Sequence, residues 1–467
     1  MSAPDLVELA SRGTVHFMGI CGAGMSPLAE LLLRSGGRVS GCDARPCEAA
    51  PAGVEVEVGH DPAHVREALA VVVTAAVPAE HPELQAARAR GIPVLKRAEA
   101  LAAVVNRGQV VAVAGTHGKT TTSALTASVL AAAGLDPTAL VGGRVVGWRG
   151  NYRSGGDRLF VVEADEYDRS FLKLQPTLAV VTTLEADHLD TYGSLSAIED
   201  AFYAFGAAVP VQGGAVLACG DDHGVGRLLP RLATAGRRVV TYGLAAGAML
   251  RAERVTAHGA TTRFVARERA RVLGRATLQV PGLHNVRNAL AAVAVARELG
   301  AEWAQIAEGL AAYRGVGRRF ERIGEAAGVL LIDDYAHHPT EIAATLAAAR
   351  SAYPRRRLVA VFQPHLYSRT RDFAREFGQA LAAADRVFVT AIYPAREAPI
   401  AGVGGELVAA AAETAGARVV YLPERDAVAA RVAAELRAGD VCLTLGAGDL
   451  DHAARELLAR LGALAAA

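Results

Sequence analysis

The sequence predicts an α/β protein of three domains, each built on a largely parallel sheet. Its 467 residues make about three domains at ~150 residues each. Short apolar runs alternate with helical patterns along the chain, the arrangement that covers parallel sheets with helices on both faces. Three times a strand opens directly into a glycine-rich or ligand-bearing turn: at Thr14 to Gly19, at Val110 to Thr121, and at Val329 to Asp334.

The first of these turns, Gly19-Ile20-Cys21-Gly22-Ala23-Gly24-Met25-Ser26, opens a helix from Pro27 to Arg34. Its spacing is G-x-x-G-x-G, whereas the dinucleotide fingerprint is G-x-G-x-x-G. Asp43 ends the next strand, Val39 to Cys42, where a ribose-binding acid lies in such folds. Three readings stand for this motif: NAD, a nucleotide–sugar diphosphate on the same helix N-terminus, or tight packing through small residues. A strand follows at Val71 to Thr74, and a break near Asn106-Arg107-Gly108 closes a first domain of residues 1–107.

The second turn is the most informative segment. Val110 to Ala114 reads as a strand, Gly115-Thr116-His117-Gly118-Lys119-Thr120-Thr121 as a loop, and Ser123 to Ala133 as a helix. Strand, glycine turn and helix form a phosphate-binding loop, whose backbone N–H groups and helix N-terminus face phosphate oxygens. Lys119 is placed on the β/γ phosphates and the Thr120 hydroxyl on Mg²⁺. Only Lys96, Lys119 and Lys173 occur among 49 basic residues, and a compact ammonium suits such a cradle better than a planar guanidinium.

Two acidic clusters follow strands in the same middle segment. Glu163-Ala164-Asp165-Glu166-Tyr167-Asp168 comes off Leu159 to Val162, and Glu185-Ala186-Asp187-His188-Leu189-Asp190 comes after Leu178 to Thr182. A carboxylate at the end of a strand, opposite a phosphate loop, is where Mg²⁺ is held. Glu163 takes that role, while Asp165, Glu166 and Asp168 are shaping or substrate contacts. An EF-hand is excluded because its central glycine is missing. His188 is a candidate ligand for a second ion, and two ions clamp a transferring phosphoryl group from both sides. Alternating runs at Arg238 to Tyr242 and Thr261 to Ala266 predict extra strands at the edge of this domain. His284-Asn285-Val286-Arg287-Asn288 starts a long helix to Leu299, and its asparagines either cap that helix or touch nucleotide. The break at Arg314-Gly315-Val316-Gly317 ends a middle domain of residues 108–315, leaving 316–467 as the third.

In the third segment Asp333-Asp334-Tyr335-Ala336-His337-His338-Pro339 follows one strand. Gln363-Pro364-His365-Leu366-Tyr367-Ser368-Arg369 follows the next, Leu358 to Phe362. Loops at neighbouring strand ends form one crevice, the usual ligand site of an open α/β sheet, and an arginine there forks onto a carboxylate. Adjacent histidines rarely both reach one ion, which argues against zinc at His337 and His338. Strands at Val387 to Thr390 and Cys442 to Leu445 complete the pattern.

Composition narrows the function classes. With 49 basic and 48 acidic residues the formal charge is +1, which gives no electrostatic footprint for nucleic acid. No window approaches a membrane span, and the N-terminus lacks an apolar signal region. Five scattered cysteines (Cys21, Cys42, Cys47, Cys219, Cys442) include no C-x-x-C pair. They predict free thiols in a reducing cytoplasm, with neither a disulfide frame nor a zinc site.

Taken together, these motifs resemble the Mur ligases of bacterial cell-wall synthesis. The resemblance rests on Gly-Ala-Gly-Met-Ser at 22–26, Gly-Thr-His-Gly-Lys-Thr-Thr at 115–121, Glu-Ala-Asp-Glu at 163–166 and Glu-Ala-Asp-His-Leu-Asp at 185–190. It continues through Gly-Arg-Arg-Phe at 317–320, Asp-Asp-Tyr-Ala-His-His-Pro-Thr-Glu at 333–341 and Tyr-Pro-Ala-Arg-Glu at 393–397, up to Gly446-Ala447-Gly448. It implies a Rossmann-like N-terminal domain for a UDP substrate, a central P-loop-type ATPase, and a Rossmann-like C-terminal domain for an amino acid. The implied reaction joins L-alanine to the lactyl carboxylate of UDP-N-acetylmuramate through an acyl phosphate, with ATP and two Mg²⁺ ions, in a cytoplasmic monomer or homodimer without membrane insertion.

The resemblance also implies residue roles. Gly115, Thr116, His117, Gly118, Lys119, Thr120, Thr121, Asn285, Asn288, Arg319 and Asp334 would serve ATP. Thr120, Glu163 and His188 would hold Mg²⁺. Gly22, Ala23, Gly24, Met25, Ser26, Asp43 and His60 would line the UDP site, and Tyr335, His337, His365 and Arg369 would bind or orient alanine. Relatives often carry arginine where this chain has Leu366, so Arg369 would carry more of the carboxylate recognition. Later-acting sister ligases use a carbamoylated lysine after the aspartate–histidine motif, and this chain has no lysine beyond Lys173, which favours the alanine-adding branch. The rival readings are a murein tripeptide ligase, a non-catalytic binder of UDP-sugar and ATP, and an NAD dehydrogenase.

Overall fold

Apolar runs rich in valine become the central strands. Gln109–Ala114 buries every residue after its first, and Leu178–Val181 and Ala215–Cys219 bury every residue. Such two-sided burial belongs to parallel strands covered on both faces. The computed structural model describes residues 5–47, 50–74, 76–148, 150–187, 189–395 and 397–466.

Three sheets follow one another along the chain. The first is entirely parallel, in the spatial order Val56–Val58, Arg38–Asp43, Thr14–Met18, Ala68–Val73, Val94–Lys96. In the second, ten-stranded sheet, Gln109–Ala114 lies between Leu178–Val181 and Leu159–Glu163, parallel to both. The third has six strands. Val441–Leu445 lies between Val329–Asp334 and Leu358–Phe362, all parallel, with Glu321–Ala326 antiparallel at the edge. In each sheet a ligand-type loop leaves the carboxyl end of an interior strand where the strand order reverses, which is where open α/β sheets bind.

By compactness the chain divides into two units. One comprises the residues up to Ala252 with 266–274 and 287–310; the other comprises 253–265, 275–286 and the residues from Ala311 on. The first unit contains the first sheet and the central strands of the second, joined by a continuous core. Leu28 and Leu32 of the helix Ser26–Arg34, Val110 and Phe160 of the second sheet, and Phe171 of the short helical turn Tyr167–Lys173 belong to one cluster. In the second unit Leu330, Ile332, Phe362 and Leu443 pack on one face of the sheet, and Val359, Val361 and Cys442 on the other.

The extra strands expected between residues 213 and 280 form at Val239–Gly243, Leu250–His258, Thr261–Glu268 and Arg271–Leu278, at one edge of the ten-stranded sheet. Strands of two or three residues, such as Thr138–Leu140 and Tyr152–Arg153, left no periodic signal because they are shorter than the pattern that would reveal them.

One expectation is overturned. Cys21 and Cys47 form a disulfide, with Cα atoms 5.5 Å apart, while Cys42, Cys219 and Cys442 are free and buried. The Cys21 N–H donates to Asp43 Oδ2 at 3.1 Å, which draws the glycine turn onto the end of the second strand. Cys47 lies four residues beyond Asp43. The two cysteines are 26 residues apart in sequence, so tertiary folding alone brings them together.

Candidate functional site

The glycine turn after Gln109–Ala114 is held in shape from below. The Thr116 N–H donates to the Thr183 carbonyl at 2.9 Å, and the His117 N–H donates to Thr183 Oγ1 at 2.9 Å. Thr182 Oγ1 donates to the His117 carbonyl at 2.6 Å. Gly118 takes φ +80° and caps the helix Lys119–Ala132, a left-handed geometry that favours glycine. A Cβ at Gly115 would lie 1.9 Å from Thr182 Oγ1, so the backbone approaches the neighbouring strand too closely for any side chain. The helix begins at Lys119, earlier than the pattern suggested, and Thr120 and Thr121 are buried in its first turn.

Lys119 folds back across the turn. Its Nζ donates to the Gly115 carbonyl at 2.8 Å and pairs with Glu166 at 2.8 Å. Burial alone would lower its pKa, but the Glu166 and Asp165 carboxylates outweigh that and hold it above the ordinary lysine value. Glu163 ends the strand Leu159–Glu163. Its Oε1 accepts from Thr120 Oγ1 at 2.9 Å, and its Oε2 accepts from the Gly142 N–H. Burial pushes the Glu163 carboxyl up, and Lys119 offsets only part of that shift. A hydroxyl and a carboxylate that touch, with the carboxylate short of positive charge, are oxygen donors suited to Mg²⁺. Asn288 Oδ1 lies 2.7 Å from where a Gly118 Cβ would project, which places this asparagine on the turn. His117 Nε2 sits 3.5 Å from Glu185. His188 lies outside the described residues.

The first glycine turn shares a cleft with Glu163. A cavity of about 280 Å³ is lined by Ala23, Gly24, Arg97, Gly142, Glu163 and Asp165. A larger one of about 630 Å³ continues past Cys21, Ala23 and Ser26 to Trp148 and Asn151. Gly22 turns the chain, accepting from the Met25 and Ser26 N–H groups at 2.9 and 3.0 Å. The Met25 side chain is buried in the core. Asp43 spends one oxygen on the turn, and His60 Nδ1 contacts Glu83 at 3.1 Å.

In the second unit the loops after two strands converge. Asp334 accepts from the Phe320 and Ala336 N–H groups at 2.8 and 2.9 Å. Arg318 and Arg319 each lie 5.1 Å over the Tyr335 ring, and Arg319 pairs with Glu341 at 3.6 Å. The His337 and His365 rings are 5.9 Å apart, and His365 stacks on Tyr393. His365 Nδ1 is buried and has no hydrogen-bond partner among the described residues. Arg369 is buried, and its charge acts on both histidines. Leu366 holds φ +69° at the start of the helix Tyr367–Leu381, an unusual conformation for a branched side chain. His338 caps the helix Pro339–Ala352 and His337 Nδ1 turns to the Tyr335 carbonyl at 2.9 Å, so the pair diverges. Asn285, from the same unit, donates to the Pro281 carbonyl at 2.7 Å.

Burial holds His16, His337 and His365 near a pKa of about 4, against 6.5 ordinarily. Burial also raises Asp334 to about 6. In the unfolded chain the histidines take up protons near 6.5, whereas in the folded protein they resist down to about 4. Their stabilisation is therefore lost as pH falls through that window. Asp334, Glu163, Glu166, Asp222 and Asp333, whose carboxyls burial pushes up, work in the opposite sense as they take up protons. Between pH 6.5 and 4 the urea midpoint of His337→Gln is expected to rise relative to that of the parent as pH falls, because the variant no longer loses the His337 contribution. A constant difference between the two midpoints would show that His337 titrates normally.

Sequence reasoning missed Arg97, Asn151 and Gly142. Arg97 comes from the start of the helix Arg97–Val105 and reaches Gly24, where a Cβ would meet its Cδ at 3.0 Å. Asn151 Nδ2 donates to the Ala23 and Val141 carbonyls at 2.8 and 2.9 Å. No local motif marks any of the three; each is drawn to the cleft by packing within the first unit.

Known proteins are similar along nearly the whole chain. Residues 14–109 match the model of the Mur ligase family catalytic domain, 113–296 the Mur ligase middle domain, and 318–448 the Mur ligase glutamate ligase domain. The chain is 45% identical over 453 residues to the UDP-N-acetylmuramate–L-alanine ligase of Geobacter sulfurreducens, covering 96% of this chain and 97% of that one. It is 47% identical to the enzyme of the same name from Acidothermus cellulolyticus, covering 96% and 94%. Among solved structures it resembles the UDP-N-acetylmuramate–alanine ligase of Thermotoga maritima, with TM-score 0.79, 28% identity and coverage of 97% and 100%. A murein peptide ligase from Psychrobacter arcticus gives TM-score 0.67 and 26% identity, with coverage of 96% and 99%. Three successive family models and relatives matched along nearly their whole length agree with the cradle, the cleft and the paired loops: the chain belongs to the Mur ligase family.

Proposed function

We propose that this protein joins L-alanine to the lactyl carboxylate of UDP-N-acetylmuramate, converting ATP to ADP and phosphate, as the first amino-acid addition of peptidoglycan precursor synthesis. The observation that carries the reading is the cleft in which Glu163, whose carboxylate accepts from Thr120 at the phosphate loop, faces the Ala23–Gly24 turn. An ATP γ-phosphoryl group and a carboxylate substrate must meet in such a space.

A carboxylate is a poor acyl donor, so its oxygen first takes the γ-phosphoryl group and ADP leaves. The alanine amine then attacks the acyl carbon, and phosphate leaves with the C–O electron pair. Positioning and charge neutralisation supply most of the catalysis. Lys119 releases Glu166 to hold the β/γ phosphates, and the backbone N–H groups at the helix start, from Gly118 to Thr121, cradle them, while Gly115, Thr116 and His117 hold the turn in shape against Thr182 and Thr183. Mg²⁺ held by Thr120 and Glu163 supplies charge neutralisation at the transferring group. A second ion at His188 belongs to the same proposal. Asn285, Asn288, Arg319 and Asp334 serve the nucleotide. Gly22, Ala23, Gly24, Ser26, Asp43 and His60 hold the UDP portion, joined by Arg97; Met25 contributes only its backbone. Tyr335, His337, His365 and Arg369 receive alanine, with Arg369 on its carboxylate. His337 and His365, kept neutral by burial, are able to accept a hydrogen bond from the amine.

We place the functional boundaries near residues 107 and 315, and the reaction in the cytoplasm. No helix among the described residues is long and apolar enough to cross a membrane. The test is phosphate release from ATP and Mg²⁺ with UDP-N-acetylmuramate, offering L-alanine, glycine, L-serine and the murein tripeptide separately. Release dependent on L-alanine is expected. Release only with tripeptide would reassign the protein to recycling, and no release with any acceptor would overturn the ligase reading.

A further inference from the structure

Away from the nucleotide cradle, the first sheet gathers four histidines, a cysteine and a glutamate. His16 pairs in register with Ser40, and Met18 with Cys42. The period-two alternation of strands therefore puts His16, Ser40 and Cys42 on one face. Onto that face come His60, His64 from the short helical turn Pro62–Val65, and Glu83 from the first turn of Pro82–Ala89. His16 and Cys42 are buried, and the Glu83 side chain is 0% exposed. A fully buried carboxylate is costly without a cation or several donors.

The ligand atoms of His16, Cys42, His64 and Glu83 all lie within 4.8 Å of one another. His16 Nε2 is 3.4 Å from Cys42 Sγ, Cys42 Sγ is 3.5 Å from both Glu83 oxygens, and His64 Nδ1 is 2.7 Å from Glu83 Oε1. Around a tetrahedral ion with bonds of about 2.0–2.3 Å, neighbouring donors stand about 3.3–3.7 Å apart. Two of these spacings already fit, and the His64–Glu83 hydrogen bond would open by less than about 1 Å.

An outer layer of hydrogen bonds is also present. His16 Nδ1 contacts Ser40 Oγ at 2.9 Å, the Asp61 N–H donates to Glu83 Oε1 at 2.9 Å, and His60 Nδ1 meets Glu83 Oε2 at 3.1 Å. Metal-binding histidines and carboxylates are oriented by such partners. The Asp61 N–H also approaches His64 Nδ1 at 3.3 Å, a long contact that it exchanges for its shorter one to Glu83. His81 also lies near Glu83, but its Nδ1 accepts the Glu83 N–H at 3.3 Å as a helix cap, which leaves it outside the set.

We propose that His16, Cys42, His64 and Glu83 bind one zinc-type divalent ion, in a structural site separate from the Mg²⁺ of phosphoryl transfer. Two imidazoles, a thiolate and a carboxylate suit Zn²⁺, while Mg²⁺ and Ca²⁺ prefer oxygen ligands alone. Four protein ligands close the coordination shell, the mark of a structural ion. The ion ties the strands Thr14–Met18 and Arg38–Asp43 to the short helical turn Pro62–Val65 and the helix Pro82–Ala89, its Cys42 ligand standing one residue before Asp43. The partly exposed His60 and His64 leave a route for its entry.

The test uses the full chain, stripped with chelator, its disulfide intact, and titrated with Zn²⁺, Co²⁺ and Mg²⁺. One equivalent of Zn²⁺ is expected to bind and raise the melting temperature, with no such effect from Mg²⁺. Co²⁺ should give a thiolate charge-transfer band that Cys42→Ser removes. Cys42→Ser and His64→Asn should each weaken Zn²⁺ binding more than the roughly 10–100-fold lost with an outer partner, while His81→Asn keeps it. Well under one equivalent in the parent protein, or parental affinity in Cys42→Ser, would overturn the proposal. Should Cys42→Ser not fold, the parental Co²⁺ spectrum decides: a band without thiolate charge transfer rejects the site.

Discussion

Lys119→Ala is expected to lower turnover by more than about 1000-fold, beyond the roughly 10²–10³ lost with a single transition-state donor. Lys119 is the cation at the centre of the cradle, and in the free protein it pairs with Glu166, whose side chain is 4% exposed. Removing it therefore has two consequences. The phosphates lose their clamp, and Glu166 is left as a buried carboxylate without its partner, at a cost of about 3–5 kcal/mol. A loss of activity in Lys119→Ala alone would not separate these. Lys119→Ala combined with Glu166→Gln removes the orphaned charge, so the melting temperature should recover while turnover does not. Recovery of both would assign Lys119 to the fold and not to the chemistry.

Glu163→Gln should separate activity from stability in another way. Burial raises the Glu163 pKa, so at neutral pH its ionised form is a burden on the ion-free protein, and a neutral amide of the same shape removes that burden. The amide presents one acceptor where the carboxylate offered two, to Thr120 Oγ1 and to the Gly142 N–H. Losing one such hydrogen bond costs about 1 kcal/mol, so the two changes nearly cancel and stability should stay within about 1 kcal/mol of the parent. Mg²⁺ recognition has no such compensation. The Mg²⁺ concentration for half-maximal phosphate release is expected to rise more than about 10-fold, with turnover down about 100-fold or more. A variant with parental Mg²⁺ dependence would show that the ion is held elsewhere.

The two experiments bear on a contrast between local and distant information. The cradle was legible because its parts are contiguous: an apolar strand, a turn whose glycines permit close approach and positive φ, and a helix whose first residues are Lys119 and Thr120. Glu163 was legible for the same reason, as the first carboxylate past a buried strand. The loops at 333–338 and 363–369 were read as one crevice because parallel strands put their carboxyl ends on one side of the sheet.

Local pattern was enough, then, for the α/β class, the order of the strands' ligand loops, and the identity of the residues those loops carry. Tertiary structure decided which residues from different loops meet. The Glu166 partner of Lys119, the Arg97 and Asn151 walls of the cleft, the Cys21–Cys47 disulfide and the cluster around Glu83 all join residues more than twenty positions apart or on separate elements. Periodicity and spacing report on neighbours within a turn or a strand. They carry nothing about which face of which element packs on another, because that choice is made by burying apolar surface across the whole unit.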